Sequence, residues 1–187
     1  MLFNITDETS PLELIIVGIA NSNGGIPSLD DVYDPKSRIH ILSNTYPKES
    51  DMVNELENLV SLLRSYGVKI FRPTLINDYN QIYSRDIGFV IEDKFFKSNI
   101  LPIRSREIQA LDKLLSLFSS DCIISFPDDA HIEGGDVVLF KNKIYVGAYI
   151  KNDYSDYITA RTNLKGLNFL KNFFPNKDVV LLELNKS

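Results

Sequence analysis

A hairpin, a helix and a strand follow one another twice along this chain, and this repeat limits the folds it can adopt. The first copy begins in SRDIGFVIEDKFF, residues 84–96, and the second begins in GGDVVLFKNKIY, residues 134–145. The two segments align with a gap of one residue and place Asp86 opposite Asp136. Recurrence at about 50 residues is typical of modular proteins, in which each unit buries its apolar face against the next. We therefore predict an α/β fold of repeated units.

The first copy is predicted in three parts. GFVIEDKFFKS forms a hairpin that turns around Glu92, Asp93 and Lys94. Ser105 caps a helix over SREIQALDKLLSLF, whose apolar residues recur at helical spacing. DCIISFP closes the unit as a strand that ends at a proline.

The second copy repeats the same order. DVVLFKNKIYVGAY forms a hairpin around Lys141 and Asn142, residues 158–174 form a helix, and DVVLLEL forms a strand. We expect the apolar residues of both copies to form the core.

The N-terminal part is predicted as a third, less regular unit. LELIIV, residues 12–17, reads as a buried strand, and a long polar connection runs from there to about residue 50. A helix then begins with Ser50 as its N-cap and stops at Gly67, and VKIFRP follows as a strand. The apolar stripe of this helix consists of Met52, Leu56, Leu59, Val60 and Leu63.

The composition limits the class of partner. The chain has 187 residues, of which 44% are hydrophobic and 24% charged, as in one globular domain. Its net charge is −5 and it contains no block of Lys and Arg, so we expect no nucleic-acid partner.

The sequence also predicts a compartment. No apolar run reaches the roughly 18 to 20 residues that span a bilayer, and MLFNITDETS lacks the basic and apolar regions of a signal peptide. The single cysteine, Cys122, has no partner for an internal disulfide, which agrees with a reducing compartment. We therefore expect a cytoplasmic protein without a membrane partner.

Acidic residues stand at the start of both hairpins. Asp86 opens the first, and Glu133 and Asp136 flank two glycines before the second. In a ring of repeated units, equivalent positions point toward a shared axis, so these carboxylates are expected to face one cavity. Clustered carboxylates stay ionised only beside a cation, and a planar guanidinium binds two carboxylates through its fork of N–H donors.

A structural interpretation of the same residues stays open at this point. Arg85 and Asp86 can pair with neighbours, and acidic turns before strands are common. Gly134 and Gly135 can serve only to form a turn with positive φ. Asp136 is better explained as a turn residue, or as a residue that supports the ligands, than as a direct ligand. Glu133 is the better ligand candidate.

Neither histidine is placed for a metal. His40 and His131 are far apart and have no Cys or His at metal-ligand spacing, so we expect no metal and no cofactor. His131 lies two residues before Glu133, which places both on one face of an extended backbone, but a local hydrogen-bonding role is favoured for it. His40 lies in the long polar connection and has no assigned role.

Four segments resemble a known superfamily in order and spacing. They are PLELIIVG (11–18), SRDIGFVIEDKF (84–95), HIEGGDVV (131–138) and ARTN (160–163), and the superfamily comprises amidinotransferases, arginine deiminases and dimethylarginine hydrolases. The RD and EGGD elements are shared across it, whereas the opening segment looks most like the amidinotransferase branch. The resemblance implies a pseudo-fivefold α/β propeller of ββαβ units, and this chain resembles three of the five as a single, incomplete catalytic domain.

The resemblance also implies roles for individual residues. Asp86 and Glu133 would be catalytic residues that hold the guanidinium of arginine or a related small molecule, and Arg161 would hold the substrate carboxylate or order the site. The remaining substrate-binding positions are Arg85, Asp136 and Asn163. In the family reaction a cysteine thiolate attacks the guanidinium carbon, the amidino group passes to an amine or to water, and a histidine moves protons.

One departure from the family bears on activity. In relatives a histidine in an HxD element follows the strand that corresponds to DVVLLEL, and the cysteine comes later, whereas this sequence ends at Ser187. Cys122 is predicted to be a buried, inert thiol, because its neighbours in DCIISFP are apolar. We therefore expect an amidinotransferase-like chain that is inactive alone, with a complementing C-terminal chain or a homo-oligomer as partner. The alternatives are a deiminase-type hydrolase and a non-catalytic guanidinium-binding remnant.

Overall fold

Helices and small sheets alternate along the protein. A computed structural model describes residues 4–32, 34–156 and 160–185. The chain divides into two compact units, one formed by residues 12–84 and the other by residues 1–11 together with residues 85–187. The described residues form three sheets, of two, three and three strands. The prediction of an α/β fold is confirmed.

The smaller unit contains one parallel strand pair and two helices. Strand β1 (Leu14–Ile16) pairs with β2 (Lys69–Phe71), and between them the chain forms α1 (Pro35–Leu42) and α2 (Glu49–Ser65). Both strands are shorter than the apolar runs that predicted them. A parallel pair requires a crossover connection, which here includes both helices.

Helix α1 lies within the segment that was predicted as a polar connection. Its start is determined locally: the Asp34 carboxylate accepts a hydrogen bond from the Ser37 N–H at 2.7 Å, and Pro35 occupies the first turn. His40 therefore lies on a helix and not in a loop, and its Nδ1 is 2.9 Å from the Thr45 hydroxyl.

Helix α2 corrects two further predictions. It begins at Glu49 after Lys48, which makes no side-chain capping bond, so Ser50 lies inside the helix and does not cap it. Leu59, predicted to be in the core, is exposed, and Val60 is the buried residue of this helix. A two-stranded sheet covers only a narrow stripe of a helix. The predicted stop is confirmed, because Gly67 follows with a φ of 79°.

The larger unit contains the repeat that the sequence predicted. After the short helix α3 (Ser84–Ile87), strands β3 (Gly88–Ile91) and β4 (Lys94–Lys97) form a hairpin, and β5 (Ile123–Ser125) pairs in parallel with β4. Strands β6 (Val137–Phe140), β7 (Lys143–Ala148) and β8 (Asp178–Glu183) have the same arrangement. Both hairpins turn where predicted, and Glu92 and Lys141, the first residues of the turns, have φ values of 54° and 55°.

The helices of the two repeats are shorter than predicted. Residues 105–118 form two pieces, α4 (Ser105–Gln109) and α5 (Asp112–Leu115), because the Leu111 N–H bonds to the carbonyl only three residues before it and tightens the backbone. Ser105 makes no side-chain cap, since α4 already begins at that residue.

The helix predicted over residues 158–174 is α6 (Leu164–Phe173). It starts later because the Asn163 side chain accepts the Gly166 N–H at 2.9 Å and caps the helix there. The predicted residues 158 and 159 lie outside the described part of the chain.

A shared core joins the two repeats of the larger unit. Phe89 and Phe96, from β3 and β4, stack with ring centroids 5.2 Å apart. Phe173 of α6 meets the Phe96 ring edge-on, also at 5.2 Å, and Phe96 has no exposed surface. The buried cluster continues through Ile132, Val137, Ile144, Val146, Leu167 and Leu170. Each repeat thus buries its apolar face against the other.

Candidate guanidinium-binding site

Two short helical turns position the acidic residues of the larger unit. Asp86 lies in α3 (Ser84–Ile87), which leads directly into β3. Glu133 immediately precedes the 3-10 turn Gly134–Asp136, which leads into β6. Each repeat therefore places an acid at the start of its hairpin.

The segment that follows β4 connects these two places. The Ser98 N–H donates to the carbonyl of Ile87, the residue after Asp86, at 3.2 Å. The N–H of Ile132, the residue before Glu133, donates to the Asn99 carbonyl at 3.0 Å. Backbone hydrogen bonds to two consecutive residues thus hold both acidic segments side by side.

The carboxylates of Asp86 and Glu133 converge over Gly135. A Cβ atom placed on Gly135 would lie 3.0 Å from Asp86 Oδ1 and 3.5 Å from Glu133 Oε1. Both oxygens therefore face the same small space, on the side of the glycine where a side chain would point. Gly135 itself is exposed.

A buried arginine, Arg104, binds the Oδ2 oxygen of Asp86. Its Nη1 donates to Asp86 Oδ2 at 2.9 Å, and its Nε and Nη2 donate to the two carboxylate oxygens of Glu107 at 2.7 and 2.9 Å. Arg104 and Glu107 are 8% and 4% exposed. Burial raises the pKa of Glu107, against the attraction of Arg104. The pKa of Arg104 is raised too, because its carboxylate partners outweigh the effect of burial.

Sequence reasoning missed Arg104 and Glu107. The segment PIRSREI carries charges three residues apart, a spacing at which ordinary solvated pairs also occur on helix surfaces. The sequence carries no signal that separates this pair from a solvated one, because only its burial distinguishes it.

Glu133 is the most strongly perturbed carboxylate of the group. Burial and the charge of Asp86 raise its pKa to about 7, and the attraction of Arg161 and Arg104 offsets them only in part. Its Oε1 accepts from Arg161 Nη1 at 2.6 Å, whereas its buried Oε2 has no hydrogen-bond partner and lies 3.9 Å from Arg104 Nη1. A buried carboxylate oxygen without a donor is costly unless a ligand supplies one.

The charges of this cluster do not balance. Its ion pairs link three carboxylates, those of Asp86, Glu107 and Glu133, to two guanidinium groups, those of Arg104 and Arg161. One negative charge is in excess when all three carboxylates are ionised. Burial and the charge of Asp86 raise the pKa of Glu133, and a cation bound beside the two carboxylates would lower it.

Asp136 is linked to the backbone of Glu133 through the Thr162 hydroxyl. The Thr162 hydroxyl donates to Asp136 Oδ2 at 2.6 Å and accepts from the Glu133 N–H at 3.1 Å. Burial, together with the charges of Asp136 and Glu133, raises the pKa of Tyr154 to about 12. The Tyr154 hydroxyl donates to the Arg161 carbonyl at 3.2 Å, so this tyrosine stays protonated beside the acids.

Arg85 and Asn163, two of the predicted substrate-binding residues, contact backbone groups. Arg85 donates to the carbonyls of Gly134 and Val137 at 3.0 and 2.6 Å and so stabilises the 3-10 turn that follows Glu133. Asn163 caps α6, and its side-chain oxygen also accepts the His131 N–H at 3.1 Å. Both side chains bind backbone groups of this unit.

The two glycines have different reasons to be glycine, and neither reason is backbone strain. Positive φ values among glycines occur at Gly24, Gly25 and Gly67 and not at Gly134 or Gly135, so the alternative of a positive-φ turn is wrong. A side chain on Gly134 would overlap the Arg85 carbonyl oxygen. One on Gly135 would meet only the ends of the two carboxylate side chains.

The single cysteine lies away from the carboxylates. Cys122 is the last residue of a 3-10 turn that precedes β5. The first residue of β5, Ile123, pairs with Phe95, which lies near the turn of the β3–β4 hairpin. Asp86 precedes Gly88, which lies at the other end of that hairpin. The predicted buried strand position is wrong, because Cys122 is half-buried and precedes the strand.

His131 lies close to the site without joining the ion pairs. Its ring stacks on Tyr154 at a centroid distance of 5.9 Å, and its backbone carbonyl accepts from the Asn163 N–H at 3.1 Å.

Within residues 4–32, 34–156 and 160–185, no group of three or more His, Cys, Asp or Glu residues is arranged to hold a metal ion. No helix in that part of the chain is both long and apolar enough to cross a bilayer.

Comparison with solved structures places this geometry in a known fold. The amidinotransferase SxtG of the saxitoxin pathway from Microseira wollei superimposes with a TM-score of 0.68 at 17% identity, over 96% of this chain and 62% of that one. The inosamine-phosphate amidinotransferase StrB1 from Streptomyces griseus gives 0.67 at 17% identity, over 98% and 62%. The fold is that of the amidinotransferase and dimethylarginine hydrolase superfamily. The resemblance stated from the sequence is confirmed at this level.

Hydrolases share the fold as well. Dimethylarginine dimethylaminohydrolase (DDAH) from Pseudomonas aeruginosa, in a structure complexed with citrulline, superimposes with a TM-score of 0.66 at 13% identity, over 94% of this chain and 62% of that one.

Among curated sequences, the uncharacterized protein YkgA of Bacillus subtilis (strain 168) is 32% identical over 132 residues, which cover 68% of this chain and 41% of that protein. No protein-family model matches. The chain thus spans about two-fifths of the curated relative and three-fifths of the solved ones.

Proposed function

We propose that this protein binds the guanidinium group of arginine or a related small molecule between Asp86 and Glu133. The observation that carries the proposal is the convergence of Asp86 Oδ1 and Glu133 Oε1 over Gly135. The buried Glu133 Oε2 has no donor, and the ion-paired cluster carries one excess negative charge when its three carboxylates are ionised. A planar cation with several N–H donors satisfies both requirements.

A small metal ion fits this arrangement less well. Such an ion needs several oxygen ligands around one point, whereas Arg104 and Arg161 already engage Asp86 Oδ2 and Glu133 Oε1. A guanidinium can donate to Asp86 Oδ1 and give Glu133 Oε1 a second hydrogen bond over Gly135, which leaves both arginines in place.

The proposed architecture is that of a pseudo-fivefold propeller, with the three sheets of this chain as three of its ββαβ-type blades. The two complete repeats support it, because each has an antiparallel hairpin followed by a parallel strand. In such a ring the acids that open the hairpins line the axis.

The proposed chemistry of the complete site is transfer of an amidino group from arginine to an amine through a cysteine-bound intermediate. Asp86 and Glu133 would hold the guanidinium and keep its carbon electrophilic, and Arg161 would order Glu133 or hold the substrate carboxylate. The similarity to two amidinotransferases supports this branch. The position of Cys122 at the far end of its sheet supports a nucleophile other than Cys122, so we propose that this chain alone is inactive and is completed by a chain carrying the thiolate and histidine.

Calorimetric titration of the chain with L-arginine tests the binding proposal. We expect binding by the wild type and a loss of at least tenfold in affinity for Asp86→Asn, which keeps the shape of the side chain and removes its charge. A matched control is Asp128→Asn, an exposed residue outside the cluster, which should bind as the wild type does. Equal binding by Asp86→Asn and the wild type would remove the basis of the proposal.

A hydrolase of the deiminase type is the second candidate, and the similarity to the Pseudomonas DDAH favours it. The products separate the two reactions. In an assay of the chain mixed with a complementing piece that supplies the thiolate and histidine, transfer to an amine converts arginine to ornithine, whereas hydrolysis yields citrulline. Ornithine that appears only when an amine is added supports the transferase, and citrulline formed without an amine supports the hydrolase.

A further inference from the structure

We propose that Gly135 gives a ligand access to the guanidinium site, because its missing side chain leaves space between Asp86 and Glu133 for the ligand. This inference rests on the proposed function and adds a residue that contributes no polar side-chain group. It also separates the roles of the two adjacent glycines.

Of the two oxygens that line the gap, Asp86 Oδ1 has no arginine partner in the described part of the chain and Glu133 Oε1 accepts one hydrogen bond from Arg161. Asp86 Oδ2 is engaged by Arg104, which leaves Asp86 Oδ1 as the oxygen that faces Gly135. Glu133 Oε1 faces the same point, and Glu133 Oε2 is buried without a donor. A ligand that donates to both Asp86 Oδ1 and Glu133 Oε1 from this side therefore lies over Gly135.

A methyl group at position 135 would fill this approach. It would lie 3.0 Å from Asp86 Oδ1 and 3.5 Å from Glu133 Oε1, and a hydrogen-bonded nitrogen lies about 2.9 Å from its oxygen acceptor. With the methyl in contact with both oxygens, no donor reaches both from this side. The polar lining of the site would remain while its opening closed.

The fold places no such demand on this position. Gly135 is exposed, its φ is not positive, and a Cβ there would meet only side-chain ends. Gly134 differs, because a Cβ there would overlap the backbone carbonyl of Arg85, which cannot move without shifting α3. Gly134 is thus required by the packing of two backbones, and Gly135 by the space for a ligand.

The test compares Gly135→Ala, Gly134→Ala and the wild type. Thermal unfolding followed by circular dichroism reports the fold, and calorimetric titration with L-arginine reports the site. A third measurement, the pKa of Glu133 from carboxyl NMR shifts, shows whether the carboxylates keep their arrangement. We expect Gly135→Ala to melt within a few degrees of the wild type, to keep the Glu133 pKa at about 7, and to bind arginine at least tenfold more weakly. Gly134→Ala should lose the cooperative transition.

The outcomes separate this inference from the function on which it rests. Arginine binding by Gly135→Ala within twofold of the wild type overturns the inference and leaves guanidinium binding intact. Loss of the fold, or a Glu133 pKa back near 4.5, also overturns it, because Gly135 would then serve the structure. A folded wild type that binds no arginine overturns the proposed function itself.

Discussion

Replacing Glu133 with glutamine should stabilise the unliganded protein at alkaline pH, although it removes a residue of the proposed site. Glu133 is 5% exposed, and its pKa is raised from 4.5 to about 7 by burial and by Asp86. The folded protein therefore holds the proton more tightly than the unfolded chain does. Ionisation of Glu133 costs nothing below about pH 4.5, costs progressively more up to pH 7, and has a constant cost above it.

The size of the effect follows from the pKa difference. A tenfold change in proton affinity corresponds to about 1.4 kcal/mol, so raising the pKa from 4.5 to about 7 costs the wild type about 3 kcal/mol at pH 8. At pH 5 the cost is below about 1 kcal/mol by the same relation. Glutamine has nearly the same shape and carries no charge, and Arg161, whose side chain is 27% exposed, can then turn to water.

Urea denaturation followed by circular dichroism at several pH values between 5 and 8 measures this difference. We expect Glu133→Gln to gain about 2 to 3 kcal/mol in unfolding free energy over the wild type between pH 5 and pH 8. The control is Glu183→Gln on β8, which removes an exposed carboxylate outside the cluster and is measured at the same pH values. A pH-independent difference for Glu133→Gln, or a variant less stable than the wild type at pH 8, would refute the reasoning.

Three further predictions concern the core, a helix cap and ligand binding. Phe96→Ala should lower the unfolding free energy by about 3 to 5 kcal/mol in urea titrations, because Phe96 is fully buried between the two repeats; a loss below about 1 kcal/mol would contradict the shared core. Asn163→Ala should cost about 1 kcal/mol or more by removing the cap of α6, and Asn163→Asp should cost less; equal losses would argue against capping. Arginine affinity measured by calorimetry should rise about tenfold from pH 6 to pH 8 as Glu133 ionises, and a flat profile would oppose its role as a charged ligand.

The hairpins were predictable because their signals are local. Short apolar runs on either side of Glu92–Asp93 and Lys141–Asn142 determine both hairpins, and the structure has both turns there; Lys94, predicted in the first turn, is the first residue of β4. Helix ends were less predictable. The start of α6 depends on the Asn163 side chain, which also bonds to His131 more than thirty residues away. Such a contact leaves no periodic signal in the sequence.

The site was predictable in part for the same reason. The acids occur in short motifs at the start of each hairpin, so Asp86 and Glu133 could be named as candidates from the sequence. Arg104 and Glu107 could not, since only burial distinguishes their pair from a solvated one on a helix surface. The double glycine suggested unusual backbone dihedrals, whereas the structure shows close packing at Gly134 and an open gap at Gly135.

The most direct test of the guanidinium site is the pKa of Glu133 measured by carboxyl NMR with and without saturating L-arginine. Free protein should show a value of about 7, because burial and Asp86 disfavour the ionised form. A guanidinium bound between Asp86 and Glu133 supplies the missing positive charge, so the pKa should fall by one unit or more on saturation. Arginine that binds and leaves this pKa unchanged would show that it binds elsewhere, and would contradict the proposed site.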